Sequence, residues 1–137
     1  MKHRVLKVRT SAVGELADIT AAVRAALPDG AVDGVCHLFC PHTTCALAVN
    51  ENADPSVKSD VLAGLSEAID GAWPYRHAEG NSPAHIKSVL TGPSLTLFVE
   101  DGRLRLGVWQ SVYLCEYDGP RDREVWVKFL QDPRPAV

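Results

Sequence analysis

Three histidines, His42, His77 and His85, are the residues of this chain best suited to chemistry, because each imidazole offers a nitrogen donor at neutral pH. Three such donors are what a catalytic zinc keeps while leaving one position open for water or substrate. Their spacing matches no metal motif of the His-Glu-x-x-His kind. Taken singly, each is as well explained as a hydrogen-bonded structural histidine; Asn50, Glu51, Glu79 and Asn81 nearby in sequence strengthen the functional reading. His85 falls in the first turn of an expected helix, where unpaired N–H groups and the helix dipole favour an anion such as phosphate. Capping by Asn81 or Ser82 explains the same residue types without a ligand. Glu51 closes an apolar strand, where a carboxylate can serve as a base or a metal ligand. Gln110 runs in phase with Val108 and Val112 and needs a partner if buried. Arg121 and Arg123 follow a turn, and their forked donors suit phosphate or carboxylate. A surface turn with local ion pairs accounts for them equally.

Elements that would position these groups can be read from periodicity. Residues 40–51 mix polar, metal-competent and apolar residues. As one unbroken strand they would place His42, Thr44, Ala46, Ala48 and Asn50 on one face, with Cys45, Leu47 and Val49 on the other. Cys45 to Asn50 is expected either to continue the strand Val35–Phe39 past a bend at Pro41 or to be its hairpin partner. Arg4–Arg9 alternates as a first strand. Asp18 can cap a helix with Leu16, Ile19, Val23, Ala26 and Leu27 at helical spacing, ended by Pro28-Asp29-Gly30. Pro55 opens a second helix whose ladder is Val57, Val61, Leu65 and Ile69, joined by Leu62. Gly71 to Gly80 reads as a loop, and a short third helix follows with Ile86, Val89 and Leu90 on its buried side. The last third is rich in strands: Ser94–Glu100 and Leu104–Val108 around Asp101-Gly102, a strong hairpin signal, then Gln110–Tyr117 and Glu124–Leu130. The tail from Gln131 to Val137 is expected to fray. The absence of regular strand–helix alternation argues for an α+β domain with an antiparallel, sandwich-like core and about three helices.

Composition sets the outer bounds. A chain of 137 residues with 46% hydrophobic content suits one domain spanning 1–137 with a single core. A net charge of -3, with 14 basic residues dispersed, gives no cationic stripe for nucleic acid. No apolar run approaches the roughly 20 residues that span a bilayer, and the basic start is not followed by a signal-peptide core. A soluble cytoplasmic protein is expected. Cys36, Cys40, Cys45 and Cys115 contain no Cys-x-x-Cys pair. Cys36 and Cys40 on one strand face would stand about 13 Å apart, too far to share a metal whose Zn–S bond is about 2.3 Å. Most should be small buried hydrophobes, with Cys45 the one to watch.

Many ordered matches resemble the YjbQ-like family, often labelled secondary thiamine-phosphate synthases. They run from about Arg4 to Phe129: His42-Thr43-Thr44, Asn50-Glu51-Asn52-Ala53-Asp54-Pro55, Asp60, His77, Asn81, Ala84-His85, Gly92-Pro93-Ser94, Asp101-Gly102, Leu106-Gly107 with Trp109-Gln110, and Glu116 through Gly119-Pro120-Arg121 to Arg123. The resemblance implies a sandwich-like α+β subunit in a homotrimer, with a polar pocket near subunit contacts and a divalent metal, zinc or magnesium. It also implies weak thiamine-phosphate synthase activity, not necessarily the native one. Two positions depart from it: Pro83, where a small or acidic residue is more usual, and Cys45, where alanine or glycine is common.

On this basis His42, Glu51 and His85 are expected to be catalytic, and His42, His77 and His85 to bind metal or phosphate. Thr43, Thr44, Asn50, Asn81, Gln110, Arg121 and Arg123 are expected to bind a small phosphorylated substrate. Two other classes stay open: a metal-dependent hydrolase of a small substrate, and a binder of a phosphorylated metabolite without turnover.

Overall fold

Apolar residues at two-residue spacing build two antiparallel sheets in a computed structural model that describes residues 2–135. The first sheet has the order β1 (Arg4–Arg9), β8 (Asp122–Gln131), β3 (Gly34–Phe39), β5 (Ser94–Glu100) and β6 (Arg103–Leu104). In the second, β7 (Gln110–Glu116) lies between β2 (Glu15–Asp18) and β4 (Cys45–Glu51). Cys36 and Leu38 of β3, Leu97 and Val99 of β5, and Val125, Val127 and Phe129 of β8 face Cys45, Leu47, Val112 and Leu114 of the second sheet across one core. Three helices complete the described fold: α1 (Thr20–Ala26), α2 (Pro55–Ala68) and α3 (Ser82–Thr91). The outer face of the second sheet carries Ala46, Tyr113 and Cys115, packed with Ala84 of α3 and with Leu62 and Leu65 of α2. This is the expected α+β sandwich with its three helices. No helix among the described residues is long and apolar enough to cross a membrane.

Several local expectations are corrected. Leu16 belongs to strand β2, which pairs with β7, and not to the first helix. The N-cap of the first helix is Ile19, not Asp18, and carries no side-chain cap; Asp18 lies one residue earlier, where its Oδ1 accepts the Thr20 N–H at 2.9 Å and the Thr20 hydroxyl at 2.6 Å. In α3 the face turned to the sheet is Ala84 and Ser88, while Val89 and Leu90 are 82% and 65% exposed. Ala84 packs there with Ala46, Tyr113 and Cys115. On α2 the apolar ladder is half-buried, and no residue of that helix is fully buried. The strand expected over Leu104–Val108 ends at Leu104, because the chain turns at Gly107, whose N–H donates to Gln110 Oε1 at 2.7 Å. The Asp101-Gly102 hairpin is present, with φ of 51° and 73°. A side chain at Gly102 would also bring a Cβ within 2.6 Å of the Ala31 carbonyl oxygen.

Residues 40–44 neither continue β3 nor turn a hairpin, because β3 and β4 belong to different sheets. The segment crosses from one layer to the other and so is free to present polar groups. Within β4 the expected alternation holds: Cys45, Leu47 and Val49 face the shared core, Ala46 and Ala48 the helices. Gln131, expected to begin a frayed tail, instead closes β8 opposite Gly34. Residues 136–137 lie outside the described residues.

Candidate functional site

Four segments meet at one end of the second sheet. The crossing between β3 and β4 supplies Pro41, His42, Thr43 and Thr44; the loop before α3 supplies His77 and Glu79. The start of α3 adds Asn81 and His85, and the β7–β8 connection adds Asp118 and Arg121, with Arg123 at the beginning of β8. Together they line a cavity of about 380 Å³. All three histidines expected to converge therefore do so, drawn from three separate parts of the chain.

His42 is held by the neighbouring sheet. Its Nε2 accepts the backbone N–H of Glu124 at 2.8 Å, which puts the ring proton on Nδ1. Burial, and then the nearby Arg123 guanidinium, lower its pKa from the ordinary 6.5, so the ring is neutral at pH 7. His77 and His85 stand edge to face with ring centroids 5.3 Å apart, and His77 Nε2 lies 3.9 Å from Glu79 Oε2.

Arg123 is less free than a surface arginine. It is 5% exposed and forks onto Glu116, which is fully buried: Nε to Oε1 at 2.9 Å and Nη2 to Oε2 at 2.6 Å. Its Nη2 also donates to Thr44 Oγ1 at 2.8 Å. Glu116 further accepts the Thr10 hydroxyl at 2.7 Å and the backbone N–H groups of Tyr117 and Asp118. Burial alone would raise the Glu116 pKa; the hydrogen bonds from Arg123, Thr10 and Asp118 outweigh it and hold the carboxyl below its usual range. Arg123 thus fixes the cavity wall, with Nη1 as its remaining donor.

Arg121 curls over Asp118, donating from Nε to the Asp118 carbonyl at 2.8 Å and from Nη2 to Oδ2 at 3.2 Å. The same Oδ2 accepts Asn81 Nδ2 at 2.9 Å. Asn81 Oδ1 is buried and has no partner among the described residues. The expectation that Asn81 or Ser82 caps α3 is corrected, since no side chain caps that helix. Both guanidinium groups are thus matched by carboxylates. An anion here would be held by directed N–H donors more than by surplus charge.

A metal implied by three histidines does not fit within one protomer. The His42 Nε2 lone pair is committed to Glu124, and among the described residues no three His, Cys, Asp or Glu side chains are placed to hold a metal ion.

Asn50, Glu51 and Gln110 are not brought to the cavity. The register runs from Cys45 opposite Glu116 to Glu51 opposite Gln110, so they sit about 20 Å away along the sheet at roughly 3.3 Å per residue. Their groups have local partners there. Asn50 Oδ1 accepts the Glu51 N–H at 2.6 Å, the Glu51 carbonyl accepts the Tyr113 hydroxyl at 3.1 Å, and Gln110 turns back on Gly107. Trp109, beside Gln110, is exposed.

Beside the polar cavity lies a more apolar groove of about 450 Å³, lined by Cys45, Ser88, Val89 and Pro93 and sharing His42, Thr43 and His85 with it. Sequence reasoning missed Asp118, Glu116 and Thr10. Asp118 is legible only as a turn residue, Glu116 only as part of the strand Gln110–Tyr117 and of the family match, and nothing in Thr10 distinguishes it from any strand-end threonine.

A family model described as UPF0047 protein YjbQ-like matches residues 4–132. The chain belongs to the YjbQ-like family. A UPF0047 protein of Methanocaldococcus jannaschii is 46% identical over 127 residues, covering 92% of both chains. YugU of Bacillus subtilis is 44% identical over 131 residues, covering 93% of this chain and 98% of its own. A conserved hypothetical protein of Thermus thermophilus has a solved structure that superposes with a TM-score of 0.87 at 52% identity, over 93% of this chain and 99% of that one. For a YjbQ/UPF0047 structure from Clostridium acetobutylicum the TM-score is 0.90 at 44% identity, with the same coverage. None of these four names states a reaction.

Proposed function

We propose that the cavity binds a small phosphorylated molecule and that this YjbQ-like chain is a transferase of the thiamine-phosphate-synthase type. An aminopyrimidine diphosphate would be attacked at its methylene carbon by the nitrogen of a thiazole phosphate. The carbon–oxygen bond breaks, and diphosphate leaves with the electron pair. The observation that supports this reading is the meeting of His42, His77, His85, Arg121 and Arg123 around one cavity.

The reaction asks chiefly for stabilisation of charge on departing oxygens, which fixed N–H donors provide without reorganising. His85 and Arg121 are the proposed contacts for the diphosphate, together with Arg123 Nη1 and the Nδ1–H of His42. Thr43 adds an exposed hydroxyl donor at the rim, while Thr44, buried with its Oγ1 accepting from Arg123, holds the wall. Asn81 Oδ1, buried and unpartnered, suits an amine N–H of the pyrimidine. The adjoining groove gives the flat ring an apolar seat.

The proposed assembly is a homotrimer. Asn50, Glu51 and Gln110 of one copy then serve the cavity of the next, since the sheet keeps them far from their own. Val108 and Trp109, exposed beside Gln110, supply apolar surface for that contact.

Incubation with both precursors should yield thiamine phosphate, and His85→Ala should abolish it. Diphosphate binding without product would make the chain a binder and defeat the transferase reading.

A further inference from the structure

Two thiols lie behind the wall that carries His42. Cys40 ends the run from β3, Cys45 opens β4, and both are buried, at 2% and 1% exposure. Their Sγ atoms are 3.3 Å apart, and Cys40 Sγ also lies 3.4 Å from the Cys45 carbonyl oxygen. All four cysteines of the described chain are free thiols. Cys36 and Cys115 are buried too, without such a sulfur partner.

We infer that Cys40 and Cys45 form an oxidisable dithiol that hydroperoxides convert to an intramolecular disulfide, clamping the His42-Thr43-Thr44 loop at both ends. A sulfur–sulfur bond is about 2.05 Å long. The sulfurs therefore need to close by little more than an ångström, a movement that side-chain rotation supplies. The residues between the thiols are Pro41, His42, Thr43 and Thr44, all of which line the polar cavity. Cys45 itself lines the apolar groove, which gives a small oxidant a route to the pair.

The chemistry balances with hydrogen peroxide as the oxidant. The Cys40 thiolate attacks one peroxide oxygen, the O–O bond breaks, and the departing hydroxide takes up a proton to become water. Cys40 is then a sulfenic acid. The Cys45 sulfur attacks the Cys40 sulfur, the S–O bond breaks, and the hydroxyl leaves as water with the Cys45 proton. Two thiols and one peroxide give one disulfide and two waters. The hydrogen bond between the thiols already points Cys45 at the sulfur it must attack.

The test treats the full-length protein with hydrogen peroxide and counts free thiols after denaturation. Two of the four should be lost, and peptide mass spectrometry should place the link between Cys40 and Cys45. A thiol reductant should restore both. Cys45→Ala should give no intramolecular link and should leave a sulfenic acid on Cys40 that a dimedone probe captures. Side-chain NMR should show the His42 resonance move on oxidation and return on reduction, while His37, on the opposite face of the first sheet, stays in place. Four remaining thiols, a link to Cys36 or Cys115, or an intermolecular link would overturn the inference. An unmoved His42 resonance in the linked protein would overturn the clamp.

Discussion

His42 Nε2 accepts the backbone N–H of Glu124 at 2.8 Å, so one hydrogen bond ties the crossing between the two sheets to the start of β8 and fixes which nitrogen faces the cavity. A protonated ring could not accept that bond. Because burial and Arg123 lower the folded pKa below 6.5, the unfolded chain takes up this proton first as pH falls. The stability from His42 is complete above about pH 6.5 and is lost as pH falls through the lower folded value. His42→Gln keeps an acceptor but does not titrate. Its melting temperature should decline less steeply than the wild type's below that pH, and parallel curves would contradict the assignment.

The Arg123–Glu116 pair should behave as a buried ion pair. Replacing one partner alone leaves an uncompensated charge in the core and should cost about 3–5 kcal/mol. Arg123→Met and Glu116→Gln are therefore expected to destabilise in urea titrations, the first more severely, because it strands the carboxylate. The double variant Arg123→Met with Glu116→Leu should recover much of the loss. A single variant as stable as the wild type would show that the pair does not set the wall.

Asn81 separates binding from stability. Asn81→Ala removes one bond to Asp118, which keeps Arg121 as a partner, and also deletes an orphaned acceptor. Stability should fall by under about 1 kcal/mol. Affinity for the aminopyrimidine diphosphate should fall roughly tenfold, the value of one hydrogen bond to a buried acceptor. Calorimetric titration with unchanged affinity would remove Asn81 from the ligand contacts.

Much of this arrangement was legible in residue patterns. The hairpin at Asp101-Gly102 and the strand over Glu124–Leu130 follow from local chemistry and recur in the structure. The histidines could be named but not placed, because their convergence depends on which sheet each strand joins. Ala84 and Ser88 are the buried residues of α3 and Val89 and Leu90 are exposed, so hydrophobicity alone does not pick the helix face that packs. Arg123 looked like a free donor because its partner, Glu116, lies on another strand, and the depth of the pair comes only from packing. Glu51 and Gln110 offered polar groups that could join the histidines in a site, yet sheet register holds them at the far end.

The proposed sharing of a cavity between copies has its own test. His85→Ala and Glu51→Ala should each be inactive as pure assemblies. Mixing them under conditions that exchange subunits should restore part of the activity, because some cavities then receive an intact histidine and an intact glutamate. If the mixture stays inactive, or if Glu51→Ala is fully active alone, the residues at the far end of β4 have no part in the reaction.

The most direct measurement follows the side-chain NMR signals of all five histidines while inorganic diphosphate is added. His42, His77 and His85 line the proposed phosphate site and should shift together with one saturation curve. His3, against Trp126, and His37, bonded to Thr96, should stay still. Signals from His42, His77 and His85 that remain fixed at saturating diphosphate, or that move no more than His37, would contradict a phosphate site at this cavity.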